Sequence, residues 1–299
     1  MDKNILSYGF IKIIGAVICI MLLCICVSQI TPAQTGNGKI YLAGVGPGAP
    51  HLATVRAMRV IKKANVVFCH KSVKERFSSY LEQKEVLMPE EGTHVWHGYG
   101  KSGKNLEGGE LKMWKAAEKA RKKIIEKTRQ AFQNGKTVAF LSDGDPFFYG
   151  PWGWIMEEFE DLKPEAVPGL SSFNAANAAL EKAPTSGGNT KSVIITMPDL
   201  PYMDERESIE NLARHQATMV IFMPTVMGHS LEGHVKSLSA HYPPDTPIAL
   251  VCYAGYDDQE EVITGTLNNI LDRVEDQDET FLHLIYVGDF LTNDNRATR

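Results

Sequence analysis

The chain has 299 residues, 43% hydrophobic and 22% charged, enough to bury one or two ordinary cores and far from the composition of a disordered or collagen-like polypeptide. Its formal net charge of −5 excludes a general electrostatic hold on nucleic acid, which needs a basic face to release counterions from phosphate, and favours a small-molecule substrate. Of the five cysteines, Cys19, Cys24 and Cys26 lie in one apolar run; Cys69 and Cys252 cannot make a disulfide framework or a CxxC metal pair, so both are expected as small buried residues and no metal site is predicted.

In chain order, Ile13 to Val27 reads IIGAVICIMLLCICV without a charge, behind Lys3 and Lys12. A short basic region, an apolar region and small residues around Thr31, Pro32 and Ala33, where a peptidase could cut, make the grammar of a signal sequence. The run is shorter than the ~20 residues a spanning helix prefers, although Phe10, Ile11 and Ile30 extend it toward an uncleaved anchor. The basic residues in front favour an inside N-terminus and an exported remainder. Residues 1–38 are thus expected to be a signal peptide or membrane anchor followed by linker.

Ile40 to Val45 is an apolar run of strand length, ended by Gly46, Pro47, Gly48, Ala49 and Pro50. Thr54 to Ala64 carries apolar residues at helical spacing, and Asn65 to Cys69 reads as the next strand, giving a strand, loop, helix, strand unit typical of a mainly parallel sheet. Leu111 to Asn134 is a lysine-rich amphipathic helix ended by Gly135, its charges a solvated face. Lys136 to Leu141 is a buried strand running into Ser142, Asp143, Gly144, Asp145 and Pro146, with a helical stretch following around Trp154 to Phe159. The segment Lys163 to Pro168 is the candidate domain junction. Strands are predicted at 192–196, 219–223, 248–252 and 282–287, in continued alternation with helices. The expected organisation is two α/β domains, 39–164 and 165–292, with a tail at 293–299.

Three loops follow apolar strands, where α/β sheets place ligands. The first, Gly44 to Gly48, is spaced GxGxG with Pro47 removing a donor, so it is no dinucleotide fingerprint; alone it reads as a tight turn. In the second, Asp143 and Asp145 flank Gly144, with Phe147, Phe148 and Tyr149 behind. Two carboxylates there suit a ribose, an amine or a substrate hydroxyl, and equally a turn in which Asp145 bonds its own backbone. In the third, Val167, Pro168, Gly169, Leu170, Ser171 and Ser172 open an alanine-rich helix at Phe173 to Leu180. Hydroxyls at a helix start suit a carboxylate, and an ordinary cap needs the same residues.

In this order and at these separations the loops resemble the tetrapyrrole methylase family of the corrin and sirohaem pathways. The family's opening GxGPGxP-x-L-x-T matches Gly44, Gly46, Pro47, Gly48, Pro50, Leu52 and Thr54; its GDP-x-x-Y/F-G matches Gly144, Asp145, Pro146, Tyr149 and Gly150; its VPG-[VI]-[TS]-[SA] matches Val167 to Ser172, with Leu170 at the aliphatic position. Val220 to Met223 resembles the strand whose methionine lies by the cofactor, and Ala249 to Gly255, with Gln259 and Val262, the last cofactor-contacting strand and loop. The match runs over about residues 39 to 292. The resemblance implies a two-domain α/β enzyme, usually a homodimer, that binds S-adenosylmethionine in the interdomain cleft and methylates a carbon of a tetrapyrrole. By position the cofactor contacts fall on Pro47, Asp143, Gly144, Asp145, Ser171, Ser172, Met223 and Ala254. No general base is assigned; Asp145 is the weak catalytic candidate, with capping of its loop as the alternative.

Where uroporphyrinogen methylases carry an arginine and acidic residues after the GDP loop, this chain has Gly150, Pro151, Trp152, Gly153 and Trp154, and the layout is nearer to the precorrin-4 type. The segment Gly92 to Gly109 is peculiar to the chain. His94, Trp96, His97, Tyr99, Lys101 and Lys104 within it could contact a macrocycle by stacking, metal ligation or charge pairing, and His94, Trp96, His97 and Tyr99, together with Tyr149, are the candidate substrate contacts; the alternative is an exposed glycine-rich loop without common purpose. His229 and His234 are expected at the surface. The leader makes the expected location membrane-anchored or exported, on the periplasmic side; because the donor is made and kept in the cytoplasm, the cytoplasmic face is the alternative. The rival functions are an exported tetrapyrrole-binding protein without turnover and a related methylase acting on RNA or peptide.

Overall fold

A computed structural model describes residues 38–186, 191–200, 204–274 and 283–292. The leader read at 1–38 lies, except for residue 38, outside the described residues, as does the tail at 293–299. Among the described residues no helix is long and apolar enough to cross a membrane.

The first lobe is built on β1 (Lys39–Gly44), α1 (Val55–Lys63), β2 (Val66–Phe68), α2 (Lys71–Arg76), α3 (Ser78–Leu81), β3 (Glu85–Leu87), α4 (Gly108–Gln133), β4 (Thr137–Ser142), α5 (Ile155–Glu158) and β5 (Glu165–Val167). Its five strands run parallel in the order β3-β2-β4-β1-β5. Helices cover both faces, so the strands are apolar throughout and alternate between two cores. Tyr41, Ala43, Ala139 and Leu141 pack with α1 and α2, while Ile40, Leu42, Val138 and Phe140 pack with Ile124 of α4 and with Trp152 and Phe159. Thr54 caps α1 by accepting from Ala57 N at 3.1 Å, and Gly135, with φ 71°, lets the chain leave α4 and enter β4.

The segment proposed as the domain junction contains β5, which pairs with β1 through Tyr41–Glu165 to Ala43–Val167. The domain boundary drawn before residue 165 therefore moves: Glu165–Val167 completes the first sheet, and the crossing to the second lobe comes after it. Three residues are too few to display a period in side-chain pattern, and what recruits them is the backbone edge of β1.

The second lobe holds α6 (Ser172–Leu180), β6 (Val193–Thr196), α7 (Ile209–Ala213), β7 (Thr218–Phe222), α8 (Leu231–Ser239), β8 (Pro247–Cys252), β9 (Glu261–Thr266) and β10 (His283–Val287). The sheet order is β6-β7-β10-β8-β9, parallel between β6 and β7 and antiparallel elsewhere. The continued strand and helix alternation expected here gives way to a mixed sheet because β8 and β9 are joined directly by Tyr253 to Glu260, without the crossover helix that parallel strands need. Ala175, Ala176 and Leu180 of α6 lie on Val220, Ala249, Val251 and Tyr286 of this sheet, which explains the alanines: small side chains let helix and sheet approach closely. The other face carries α7 and α8 over Ile221, Leu250 and Ile285. His234 is buried, not at the surface, with Nε2 2.7 Å from the carbonyl oxygen of Pro224. Cys69 and Cys252 are both buried.

Candidate functional site

Because β4, β1 and β5 are neighbours in one parallel sheet, the loops that leave their C-terminal ends emerge side by side. Gly46 and Gly144 exchange backbone hydrogen bonds at 3.3 and 3.2 Å, and Val45 N donates to Ser142 O at 2.9 Å. A Cβ on Gly44 would stand 2.6 Å from Gly144 O and 2.7 Å from Gly169 N, and one on Gly169 would stand 2.2 Å from Gly144 O. No side chain fits there, and glycine at both places lets three loops share one point.

The carboxylates of the second loop are both engaged by the protein, although Asp143 stays open to solvent on one side. Asp145 accepts from Phe147 N at 2.9 Å and from Gly169 N at 3.3 Å, tying the loop after β4 to the loop after β5. Asp143 forms an ion pair with Arg76 and accepts from Ser72 Oγ at 2.9 Å. Ser171 caps α6 in a capping box, its hydroxyl accepting from Phe173 N at 3.2 Å while Ser171 N donates to Asn174 Oδ1 at 3.1 Å. Ser172 opens that helix.

The second lobe meets these loops with the ends of β7 and β8. Gly48, at φ 65°, lies so close to Gly255 that a Cβ would fall 2.0 Å from Gly255 O, and Ala49 N donates to that oxygen at 2.7 Å. A Cβ on Gly255 would in turn stand 3.3 Å from Pro47 O, and Pro47 and Ala254 are both buried. Phe148 and Tyr149 place their rings 5.1 and 5.4 Å from Phe222, and Met223 follows Phe222 directly. Tyr149, Met223 and Tyr253 all have positive φ, 58°, 47° and 49°, a left-handed conformation unfavourable for such side chains and found where a site dictates the backbone. Partial burial raises the Tyr149 phenol above its ordinary pKa, while its ring edge stays exposed. The loops that carry Pro47, Asp143, Gly144, Asp145, Ser171 and Ser172 thus touch one another, and Tyr149 and Gly48 join them to the ends of β7 and β8, next in sequence to Met223 and Ala254.

The remaining substrate candidates occupy the loop between β3 and α4. It is ordered by side chains: Val95 is buried against Phe68, Phe140 and Trp152, and Arg121, buried on α4, donates to the carbonyls of Val95 and His97 at 2.8 and 2.7 Å. Tyr99 packs its ring 5.5 Å from Trp154 with its hydroxyl 3.5 Å from Glu158, against the first lobe's core. His94 and Trp96 are exposed neighbours, ring centroids 5.5 Å apart, and His97 is half-buried. His70, at the end of β2, rests 5.3 Å from Trp152, and burial, with the nearby charge of His94, pushes its pKa down.

Arg76, Ser72, His70 and the aromatics Phe222 and Tyr256 were not singled out from sequence. Arg76 sits in KSVKER, indistinguishable there from a solvated helical face, and no periodicity marks it as buried. The positive φ of Tyr253 has no sequence signal either. Among the described residues no group of three His, Cys, Asp or Glu side chains could hold a metal ion. Burial pushes the Cys69 thiol up to about 11, which removes it as a nucleophile at neutral pH.

A parallel five-stranded sheet and a mixed five-stranded sheet, joined by backbone-built loops, define the α/β class of the fold. The chain belongs to the family of tetrapyrrole (corrin/porphyrin) methylases, whose family model matches residues 39–271. It is a methyltransferase of that family. The chain is 32% identical over 263 residues to a cobalt-precorrin-4 C(11)-methyltransferase of Methanocaldococcus jannaschii, covering 85% of this chain and 89% of the relative. It is 30% identical over 261 residues to a precorrin-4 C(11)-methyltransferase of Pseudomonas aeruginosa, covering 86% and 92%. The fold matches the X-ray structure of a cobalt precorrin-4 methyltransferase with a TM-score of 0.65 at 24% identity, over 88% of this chain and 99% of that one. It also matches a uroporphyrin-III C-methyl transferase from Thermus thermophilus complexed with S-adenosylhomocysteine, TM-score 0.61 at 22% identity, over 85% and 99%.

Proposed function

We propose that this chain transfers a methyl group from S-adenosylmethionine to a ring carbon of a precorrin-4-type tetrapyrrole, with or without cobalt. The observation that carries the reading is the convergence of the loops after β1, β4 and β5 on the seam closed by Met223 and Ala254. The donor set fits such a cofactor: glycine backbone, the Ser171 and Ser172 region at the start of α6, and a methionine, with no unpaired carboxylate beside a sulfonium. Pro47, Gly144, Ser172, Met223 and Ala254 would hold it. When bound, S-adenosylmethionine supplies a methyl group activated by the positive charge on sulfur.

The chain's own residues then have to orient the acceptor carbon and keep the seam dry. Phe147, Phe148 and Tyr149 offer an exposed aromatic edge at the seam, suited to the face of a macrocycle. Asp145 acts as the clasp of its loop, since both of its oxygens accept from backbone amides. His94 and Trp96 are proposed as an outer wall for the ring's edge.

The test uses the full chain: calorimetric titration with S-adenosylmethionine and S-adenosylhomocysteine, then incubation with a precorrin-4 preparation and mass analysis for a gain of one methyl group. Binding plus methylation is expected. Retention of a tetrapyrrole with no methyl gain would instead make it a binding protein, and methylation of ribosomal RNA or peptide alone would redirect the substrate. Sedimentation of the same material tests the expected homodimer, and fractionation with N-terminal sequencing tests the leader or anchor at residues 1–38.

A further inference from the structure

Arg76 is the last residue of α2, and its guanidinium reaches three loops. It donates to the carbonyl oxygens of Gly46, at 3.4 Å, and Gly48 in the loop after β1. It pairs with Asp143 in the loop after β4, and it lies 5.8 Å from the ring centroid of Tyr256 in the loop after β8. Ser72, one turn earlier on the same helix, donates to the other Asp143 oxygen at 2.9 Å. The Arg76 side chain is only 9% exposed. Two carbonyls and a carboxylate facing one buried cation need the flat, multi-donor fork of arginine; a lysine ammonium is a point charge and cannot serve all three directions.

We propose that Arg76 is a positioning residue of the methyl-donor site, locking the loops after β1 and β4 to each other and to the second lobe while cancelling the charge of Asp143. The inference rests on the reading of these loops as the donor site. It explains how a loop carrying two aspartates leaves only one of their charges uncompensated: Arg76 cancels Asp143, and Asp145 is taken up by backbone amides. The charge balance has a consequence that simple scaffolding lacks. With Arg76 gone, the bare Asp143 carboxylate favours the cationic sulfonium donor over the product, whose sulfur is neutral; with Asp143 made neutral, the bare guanidinium does the reverse.

The experiment is calorimetric binding of S-adenosylmethionine and S-adenosylhomocysteine to the full chain and to R76K, R76M and D143N. Product affinity is expected to fall about tenfold in R76M and R76K, the effect of losing charge-assisted hydrogen bonds. The preference for donor over product should rise roughly threefold in R76M and fall by a similar factor in D143N. If R76M does not unfold cooperatively, R76K and D143N decide. Unchanged product affinity in the Arg76 variants, or a preference that moves the same way in R76M and D143N, overturns the proposal. A wild-type chain that binds neither ligand overturns the donor-site reading first, and the inference with it.

Discussion

The loops after β1, β4 and β5 and the loop between β3 and α4 rise from the same edge of one sheet, yet opposite kinds of interaction order them. The first set is held by backbone meeting backbone, Gly46 against Gly144 and Gly169 against the Asp145 carboxylate, with side chains absent where the chains touch. The second is held by large side chains, with Val95 pressed on Trp152 and a buried arginine donating to two carbonyls. Backbone contacts admit one residue type and leave a readable motif. Side-chain contacts admit many solutions, so the same edge carries a legible half and an illegible one.

Substitutions can break this contrast. The largest effect is expected from Trp152→Ala, which empties a fully buried site under the β3–α4 loop and should lower stability by about 3–5 kcal/mol in denaturant titration. If that loop is independent of the glycine loops, donor affinity of the surviving folded protein should change little. Gly169→Ala inserts a Cβ 2.2 Å from Gly144 O, and the overpacking should destabilise by about 1–3 kcal/mol. Donor affinity should fall far more than in Trp152→Ala. Equal losses in the two variants would mean that the loops form one unit.

Arg121→Met leaves the carbonyls of Val95 and His97 without their donor, with an expected loss of about 1–3 kcal/mol and faster amide exchange confined to residues 92–107. Exchange spreading to Gly144 would blur the distinction. The smallest effect concerns pH. His70 has a folded-state pKa below its ordinary 6.5, first because burial disfavours the cation and second because His94 opposes it. Below about 6.5 the unfolded chain therefore takes up the proton more readily, and stability should drop as pH falls through that value toward the folded pKa. In His70→Gln the drop between pH 7.5 and 5.5 should shrink; an unchanged slope would assign the pH dependence to other groups.

The helices α1, α4 and α6 and the long strands β1, β4, β7, β8 and β10 could be read within a few residues, because each is long enough to show a period or an apolar run between glycine punctuation. β3 and β5 have three residues each and carry no pattern of their own. β9, EVITGT, is half exposed and looks like loop until its pairing with β8 is seen. For the site, the three loops could be named through the family resemblance that their motifs carry, each being ambiguous by itself, whereas Arg76 could not: its role comes from folding that brings α2 to Asp143, 67 residues away in the chain.

By itself the sequence determined the family and the loops that meet at the seam, because those loops bring backbones within contact distance and only glycine, proline and capping residues tolerate such geometry. Tertiary structure alone decided what the charged and aromatic side chains do: Asp143 is neutralised by Arg76, Tyr99 packs on the first lobe, and His234 is buried. The physical reason is that a charge or a ring takes its meaning from neighbours brought by folding, and those neighbours are remote in the chain.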